Sequence, residues 1–516
     1  MKRADAAAST LTPMLLLGID LGTSGTKAVL VNTEGRVVVT ATHEHPLYAP
    51  SPGFSEQDPE DWWQSTVAAV REVLASSLAL GKRVGAIGLS GQMHGLVTVD
   101  RRGATLGRCI LWNDQRSVPQ CAAVEASLGI EHLVALTGNR LLPGFTAPKM
   151  LWLREHDPAR FAATAMNLLP KDWLRYRLSG AFATEVSDAS GTLLFDCRNR
   201  RWSEAMCAAL GIDRRTLPDC AESFEPTTRL STAAAAALGL PADIPIVGGA
   251  GDQAASAIGA GIVRPGRVAV TIGTSGVVFA ATEKLRPSPR GELHAFCHAI
   301  PNTWHVMGVM LSAGGSLRWF RDVMCGDAIR RAEETGLDAY ELIAAEAEAI
   351  APGADGLTFL PYLNGERCPH PDPRARGAFL GLSATHGRAH LARAVFEGIT
   401  FGLRDNLDLL RASGVETREA LLAGGGARSP WWRQLCADVL GVPVHAARGA
   451  EGGALGAALL AGVGAGVWSD VASACAAAGA GATSASLLPG PDASRYEQPL
   501  HTFRAGFRAA AASALH

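Results

Sequence analysis

The stretch "LLLGIDLGTSGTKAVLV", Leu15 to Val31, decides how this chain is read. A short apolar run ends at Asp20, a Gly-Thr-Ser-Gly turn follows, and a second apolar run begins at Ala28. That is the pattern of two antiparallel strands joined by a tight polar loop. The same tetrapeptide returns in "VTIGTSGVV", Val270 to Val278, so each half of the 516-residue chain carries one copy. Glycine permits positive φ and close backbone approach, while Thr and Ser place hydroxyls beside backbone N–H groups, which suits a turn that wraps a phosphate oxygen. One such turn could equally be an exposed hairpin. Two copies, the first preceded by Asp20 and followed by Lys27, favour the phosphate reading.

Working outward, 516 residues exceed the roughly 250 to 300 at which one hydrophobic core stops growing, so two domains are expected. The loop-like "GAGIVRPGR", Gly259 to Arg267, sets their boundary: a tail at 1–13, one domain at 14–260 and another at 261–516. Thr10, Thr12 and Pro13 break the apolar N-terminus, so it reads as a disordered tail and not as a signal peptide. With 47% hydrophobic and 19% charged residues, and no apolar run near the ~20 needed to span a bilayer, no membrane partner is expected. A net charge of −2 with scattered Lys and Arg argues against nucleic acid. The ten cysteines form no Cys-x-x-Cys pair and no zinc-like cluster, which points to a reducing, cytoplasmic setting. His294 and His298 could face one metal if helical, but "ELHAFCHAIPNTWHVMGV" reads as strand and turn.

Val37 to Thr42 predicts a third antiparallel strand, and "DPEDWWQSTVAAVREVLASSL" a helix opened by Asp58 and Pro59. Val84 to Ser90 reads as a buried strand with "QMHG" at its C-terminal end. The second half repeats the plan, with strand, glycine turn and strand in "GRVAVTIGTSGVVFAAT", another strand in "TWHVMGVM" and a helix near Ser316 to Met324. The long helical pattern "HLARAVFEGITFGLRDNLDLLRASG" leads into the strand of "ALLAGGGARS". Alternating strands and helices predict an α/β fold. No Gly-x-x-x-x-Gly-Lys-Ser/Thr is present, so a P-loop is excluded, and "GGGARS" does not open a Rossmann unit.

"DLGTSGTK" (Asp20 to Lys27), "TIGTSG" (Thr271 to Gly276), "LLAGGGARS" (Leu421 to Ser429) and "GGALGAALLAG" (Gly452 to Gly462) resemble the first phosphate, second phosphate, adenosine and connecting motifs of the actin, hexokinase and Hsp70 ATPase superfamily. Within it, "FTAPKMLWL" (Phe145 to Leu153) and "GAFLGLSATHGRAHLARAVFE" (Gly377 to Glu397) resemble the two signature segments of the FGGY carbohydrate kinases. The resemblance implies two actin-like, ribonuclease H-like ATPase domains around a cleft, ATP as phosphoryl donor, Mg²⁺, a small sugar as partner, and a homodimer. "SGQMHG" (Ser90 to Gly95), "ILWNDQR" (Ile110 to Arg116), "LPGFTAPK" (Leu142 to Lys149), "LLPKDWLRYRLSG" (Leu168 to Gly180), "SDASGT" (Ser187 to Thr192) and "FLPYLNGERCPH" (Phe359 to His370) resemble the members that phosphorylate D-xylulose. The Asn-Gln-Arg-Glu type segment of the glycerol-phosphorylating members is absent.

Phosphorylating a sugar hydroxyl calls for a carboxylate that accepts its proton, worth roughly 10² to 10⁴ in rate. Asp252, after the apolar "IPIV" and before a small-residue helix, is the candidate base, with a helix-capping Asp as the bland alternative. Gln253 stands where many relatives of the xylulose type have Asn, which alters the reach of that amide. The resemblance further implies Asp20 as the Mg²⁺ residue. It gives the nucleotide Gly22, Thr23, Ser24, Lys27, Thr274, Ser275, Gly314, Gly424, Gly425 and Gly426. Gln92, Met93, His94, Trp112 and Asp114 are left for the sugar, although plain packing stays open for Trp112. The rival expectations are an FGGY kinase of ribulose, gluconate or a polyol, a non-catalytic actin-like ATPase, and a sugar-sensing regulator.

Overall fold

The computed structural model describes residues 14–75, 78–447, 452–481 and 485–513; the expected tail at 1–13 lies outside them. Two mixed sheets are built on one plan. In the first, β1 (Leu15–Leu21), β2 (Gly25–Asn32) and β3 (Val37–Glu44) form an antiparallel meander, and β4 (Val84–Gly91) runs parallel to β1. Beyond β4 come β6 (Pro245–Val247) and then the edge strand β5 (Pro226–Arg229), while the short β7 (Ala250–Gly251) also pairs with β4.

The second sheet repeats this order. Strand β8 (Gly266–Ile272) turns back through β9 (Gly276–Thr282), which pairs with β11 (Trp304–Met310), and β10 (His294–Cys297) forms the edge. On the other side β12 (Thr417–Ala423) lies parallel to β8, followed by β13 (Val444–Ala446). Each glycine turn therefore joins the first two strands of a sheet whose first strand also has a parallel neighbour.

Helix α1 (Pro59–Ala75) begins as expected, with the Asp58 carboxylate accepting from the Glu60 N–H at 3.0 Å, and buries Trp62, Val70 and Val73 against the first sheet. Helix α2 (Asp252–Gly259) follows β7, α3 (Gly314–Met324) follows β11, and α4 (Arg388–Ala412) covers the second sheet. The chain order placed α5 (Gly452–Gly464) with the C-terminal half, yet in space it packs on β1, β4 and α2. Its approach explains two glycines. Gly18 and Gly88 are register partners, and a Cβ on either would stand 2.0 Å from the Ala454 carbonyl oxygen or 1.8 Å from that of Ala457. The flat strip they make lets the helix backbone rest on the sheet.

Candidate functional site

The register of the first sheet assembles the acidic centre. Asp20 on β1 sits beside Ser90 on β4, and Ser90 sits beside Ala250 on β7, so three parallel strands end together with Asp252 just beyond. Ser90 Oγ donates to Asp20 Oδ1 at 2.7 Å. Burial raises the Asp20 carboxyl above its usual range, opposed by the Ser90 hydrogen bond and by the charge of Lys27, which lies across the hairpin. Asp252 is the first residue of α2, so Gly251 and not Asp252 occupies the capping position. Burial, then the nearby Asp20 charge, pushes the Asp252 carboxyl up to about 7. Two desolvated carboxylates thus share one corner, which favours binding of a cation or a proton there.

The loop before Asp252 is held from behind. Gly251 N–H donates to Ser187 Oγ at 3.1 Å, and Ser187 Oγ donates to Glu185 Oε1 at 2.9 Å. Glu185 in turn accepts from Ser223 Oγ at 2.6 Å and lies 3.5 Å from the fully buried Lys171 ammonium. The "SDASGT" segment therefore acts on the base through the backbone.

The first glycine turn closes with Gly22 N–H donating to the Gly25 carbonyl at 3.0 Å; Ser24 is exposed at its tip. Thr23 Oγ1 accepts from Trp112 Nε1 at 3.0 Å and donates to Gln92 Oε1 at 3.2 Å, while its carbonyl accepts from Gln57 Nε2 at 2.6 Å. Gln57 Oε1 accepts from Gln92 Nε2 and from Trp62 Nε1. Gln92 thus braces the turn through Thr23 and Gln57. Gln57 escaped the sequence reading because nothing but its place before Asp58-Pro59 marks it.

Met93 and His94 pack together beside the Asp252 loop. The Met93 side chain reaches Gly251, and a Cβ on Gly191 would touch both Met93 and His94. His94 adopts φ 70°, donates from Nδ1 to the Gly191 carbonyl at 2.8 Å and so keeps Nε2 as an acceptor. Burial holds its imidazole neutral, well below the usual histidine range. Behind it the buried Lys149 ammonium donates to the His94 and Gly144 carbonyls at 2.8 and 2.6 Å, and burial lowers that lysine to about 7. Asp114 requires a correction. Its carboxylate accepts from Ser55 N–H at 2.6 Å, and from Arg116 N, Nε and Nη2 at 2.9, 2.9 and 2.8 Å. With both oxygens doubly engaged it fastens the loop that carries Trp112 and is not open to a sugar.

In the second turn, Gly273 N–H donates to the Ser275 carbonyl at 3.0 Å, and the N–H groups of Gly314 and Gly315 donate to the Gly273 and Thr274 carbonyls at 2.8 and 3.0 Å. The N-terminus of α3 is thereby pinned to the turn. Thr274 and Gly314 line a cavity of about 250 Å³ with Gly425, Gly426, Arg318 and Tyr340. Arg318, one helical turn from Gly314, also went unnoticed in sequence. Gly424, at φ 81° and ψ −173°, crosses the end of β8 with no space for a Cβ, whereas Gly425 faces open space. A second cavity, about 530 Å³, runs between α2 and the second sheet from Gln253 and Ser256 to Thr271 and Gly424. His294, His298 and His305 pack among Phe145, Phe279 and Phe296, and among the described residues no group of three metal-ligating side chains occurs.

Two duplicated sheets, each offering a glycine turn to a cleft that also holds a desolvated aspartate pair, define a two-domain α/β phosphotransferase of the actin-like ATPase fold. The chain belongs to the FGGY family of carbohydrate kinases: the family's N-terminal domain model matches residues 15–259 and its C-terminal domain model residues 268–465. A xylulose kinase of Escherichia coli K12 is 42% identical over 85% of this chain and 87% of its own length. One of Bacillus subtilis 168 is 40% identical over 85% of each. A crystal structure of xylulose kinase from Rhodospirillum rubrum is 30% identical, with a TM-score of 0.87 over 97% of this chain and 100% of that one. Among the described residues no helix is long and apolar enough to cross a membrane.

Proposed function

We propose that this carbohydrate kinase transfers the γ-phosphoryl group of ATP to D-xylulose, yielding D-xylulose 5-phosphate, with Asp252 as general base. The observation that carries the assignment of the base is its position at the joint end of three parallel strands beside Asp20, between Gly251, which packs on Met93, and Gln253, which lines the cavity against the second sheet. A sugar hydroxyl against Asp252 would give up its proton as its oxygen attacks the phosphorus, and ADP leaves with the bridging electron pair. The choice of xylulose rests on the relatives named above.

The triphosphate fits the cleft between the turns, with backbone N–H groups of both turns and Arg318 as donors. The adenosine fits the cavity at Gly425 and Gly426. Mg²⁺ suits the acidic corner, because it takes few carboxylates and keeps several waters. When bound, it would neutralise charge on the phosphate oxygens and relieve the repulsion between Asp20 and Asp252. The chain's own contribution is to orient: Ser90 fixes the Asp20 carboxylate, Ser187 fixes the Asp252 loop, and Trp112 ties the acceptor side to the first turn.

The test is ADP release with Mg-ATP and a panel of xylulose, ribulose, gluconate, glycerol and xylitol. Xylulose should stimulate most, and Asp252→Asn should lower kcat by about 10² to 10⁴ while xylulose still raises the melting temperature. Full kcat in the variant would remove Asp252 from the base role, and preferential stimulation by another acceptor would remove xylulose.

A further inference from the structure

Met93, His94 and Trp112 all come from the N-terminal half, which leaves open what the C-terminal half contributes to the acceptor. The loop between the paired strands Thr358–Leu360 and Ala378–Leu380 supplies one conspicuous group, Arg367. Its backbone belongs to the C-terminal half. Glu366 Oε1 accepts from the N–H groups of Leu311 and Arg367 at 2.9 and 2.7 Å, and the Cys368 carbonyl accepts from Asn406 Nδ2 on α4 at 3.2 Å. The side chain leaves that anchorage and crosses to the other half. Its Nη2 comes to 3.9 Å from where a Cβ on Gly144 would stand, and no Cβ fits there because the Trp112 carbonyl oxygen would be 2.4 Å away.

Among the described residues the five N–H donors of Arg367 make no hydrogen bond, and no carboxylate comes within 4 Å of its guanidinium. By contrast, the buried Arg175 donates to the Thr227 hydroxyl and to the Val247 and Gly248 carbonyls, and Arg393 is paired with Glu397. Arg367 is half-buried, and burial lowers its pKa below the ordinary arginine value. A half-buried guanidinium whose N–H groups meet no protein acceptor has its donors available to an oxygen-rich ligand. Its charge is felt by His94 and His294, both of which it helps to hold neutral.

The order of contacts says which part of the acceptor it meets. From Asp252 the contacts run through Gly251 to Met93, then to His94, whose ring lies 4.6 Å from that of Phe145, and then to Gly144 and Arg367. Asp252 thus stands at one end of this run of contacts and Arg367 at the other. A ketose whose terminal hydroxyl reacts at Asp252 places its carbonyl and first hydroxyl at the Arg367 end. We propose that Arg367 is an acceptor-binding residue supplied across the cleft, donating to the carbonyl-end oxygens of the bound ketose. This rests on the functional reading above. It also makes the acceptor a bridge between the two halves, so sugar binding favours their approach.

The test compares wild type with Arg367→Gln and Arg367→Lys in steady-state kinetics and in thermal melts with and without xylulose. Arg367→Gln should raise the KM for xylulose about 10- to 100-fold, the range for a lost hydrogen bond to a charged group, with the KM for ATP within about twofold. Arg367→Lys should lose less, because it keeps the charge but not the fork of donors. Xylulose should raise the melting temperature of wild type and not that of Arg367→Gln. An unchanged KM for xylulose in a folded Arg367→Gln overturns the proposal, and so does a raised KM for ATP in its place, which would assign the guanidinium to the phosphates. If an acceptor other than xylulose stimulates the wild type, the same comparison is made on that acceptor. If none does, the functional reading fails and takes this proposal with it.

Discussion

Replacing Gly453 by Ala should damage activity out of proportion to stability. Gly453 is the second residue of α5, and an added Cβ would stand 2.7 Å from Ser90 Oγ and 2.9 Å from both Cγ and Oδ2 of Asp20. Ordinary contact needs about 3.5 Å or more, so the neighbours must yield by roughly 0.6 to 0.8 Å. Both are short side chains at strand ends and cannot swing away as a lysine tip could. Either Ser90 rotates and the 2.7 Å hydrogen bond to Asp20 is lost, at about 1.5 to 3 kcal/mol, or the carboxylate itself moves. The helix gains about 1 kcal/mol from Ala over Gly, so the net loss of stability is about 0.5 to 2 kcal/mol, a small drop in Tm. Function should suffer more. A displacement approaching 1 Å in a reacting assembly costs on the order of 10²-fold, so kcat/KM for ATP should fall about 10- to 100-fold and the Mg²⁺ requirement should rise. A coupled ADP assay over a Mg²⁺ titration at saturating acceptor, beside a thermal melt, measures both. A folded variant with wild-type kcat/KM and wild-type Mg²⁺ dependence would refute the placement of Asp20 at the metal.

Three further outcomes are expected. Gly424→Ala should lower Tm, since its backbone lies in a region open almost only to glycine, costing about 1 to 3 kcal/mol, and its Cβ would stand 2.5 Å from the Ile272 carbonyl oxygen. Gly425→Ala, with no atom within 4 Å of the added Cβ, should leave Tm unchanged yet raise the KM for ATP severalfold; the reverse pattern would displace the nucleotide from this cavity. Burial pushes the Glu366 carboxyl up to about 7 from 4.5, so the folded state binds more protons than the unfolded one between those values and this group's contribution to stability falls as pH rises through that window. Glu366→Gln keeps Oε1 as acceptor for Leu311 and Arg367 and should therefore stabilise at pH 8 relative to wild type but not at pH 4; melts at both pH values check it, and an equal effect at both would contradict it.

The glycine turns, the meander of β1 to β3, helix α1, strand β4 and the long α4 were all legible, because each is specified by residues near one another in the chain. The repeated tetrapeptide even foretold the repeated sheets. Asp252 could be singled out by its strand-to-helix setting, although its distinction from a helix cap came from the backbone, where Gly251 takes that place. Asp114 misled for an opposite reason. A carboxylate beside a tryptophan in a pocket segment looks like a sugar ligand until Arg116 and Ser55 are seen to occupy all of it.

By itself, the sequence determined the local chemistry: which turns can hold phosphate, which segments alternate as strands and helices, and which aspartates end apolar runs. Only the tertiary structure decided what meets across long separations. It brought α5 back onto the first sheet through Gly18 and Gly88, joined Gln57 and Gln92 to Thr23, placed Asp20 beside Asp252, and carried Arg367 over to Gly144. The physical reason is that periodicity and turn propensity act over a few residues. Burial, charge pairing and hydrogen-bond satisfaction are properties of neighbours in space, and a single chain read in order holds no direct record of them.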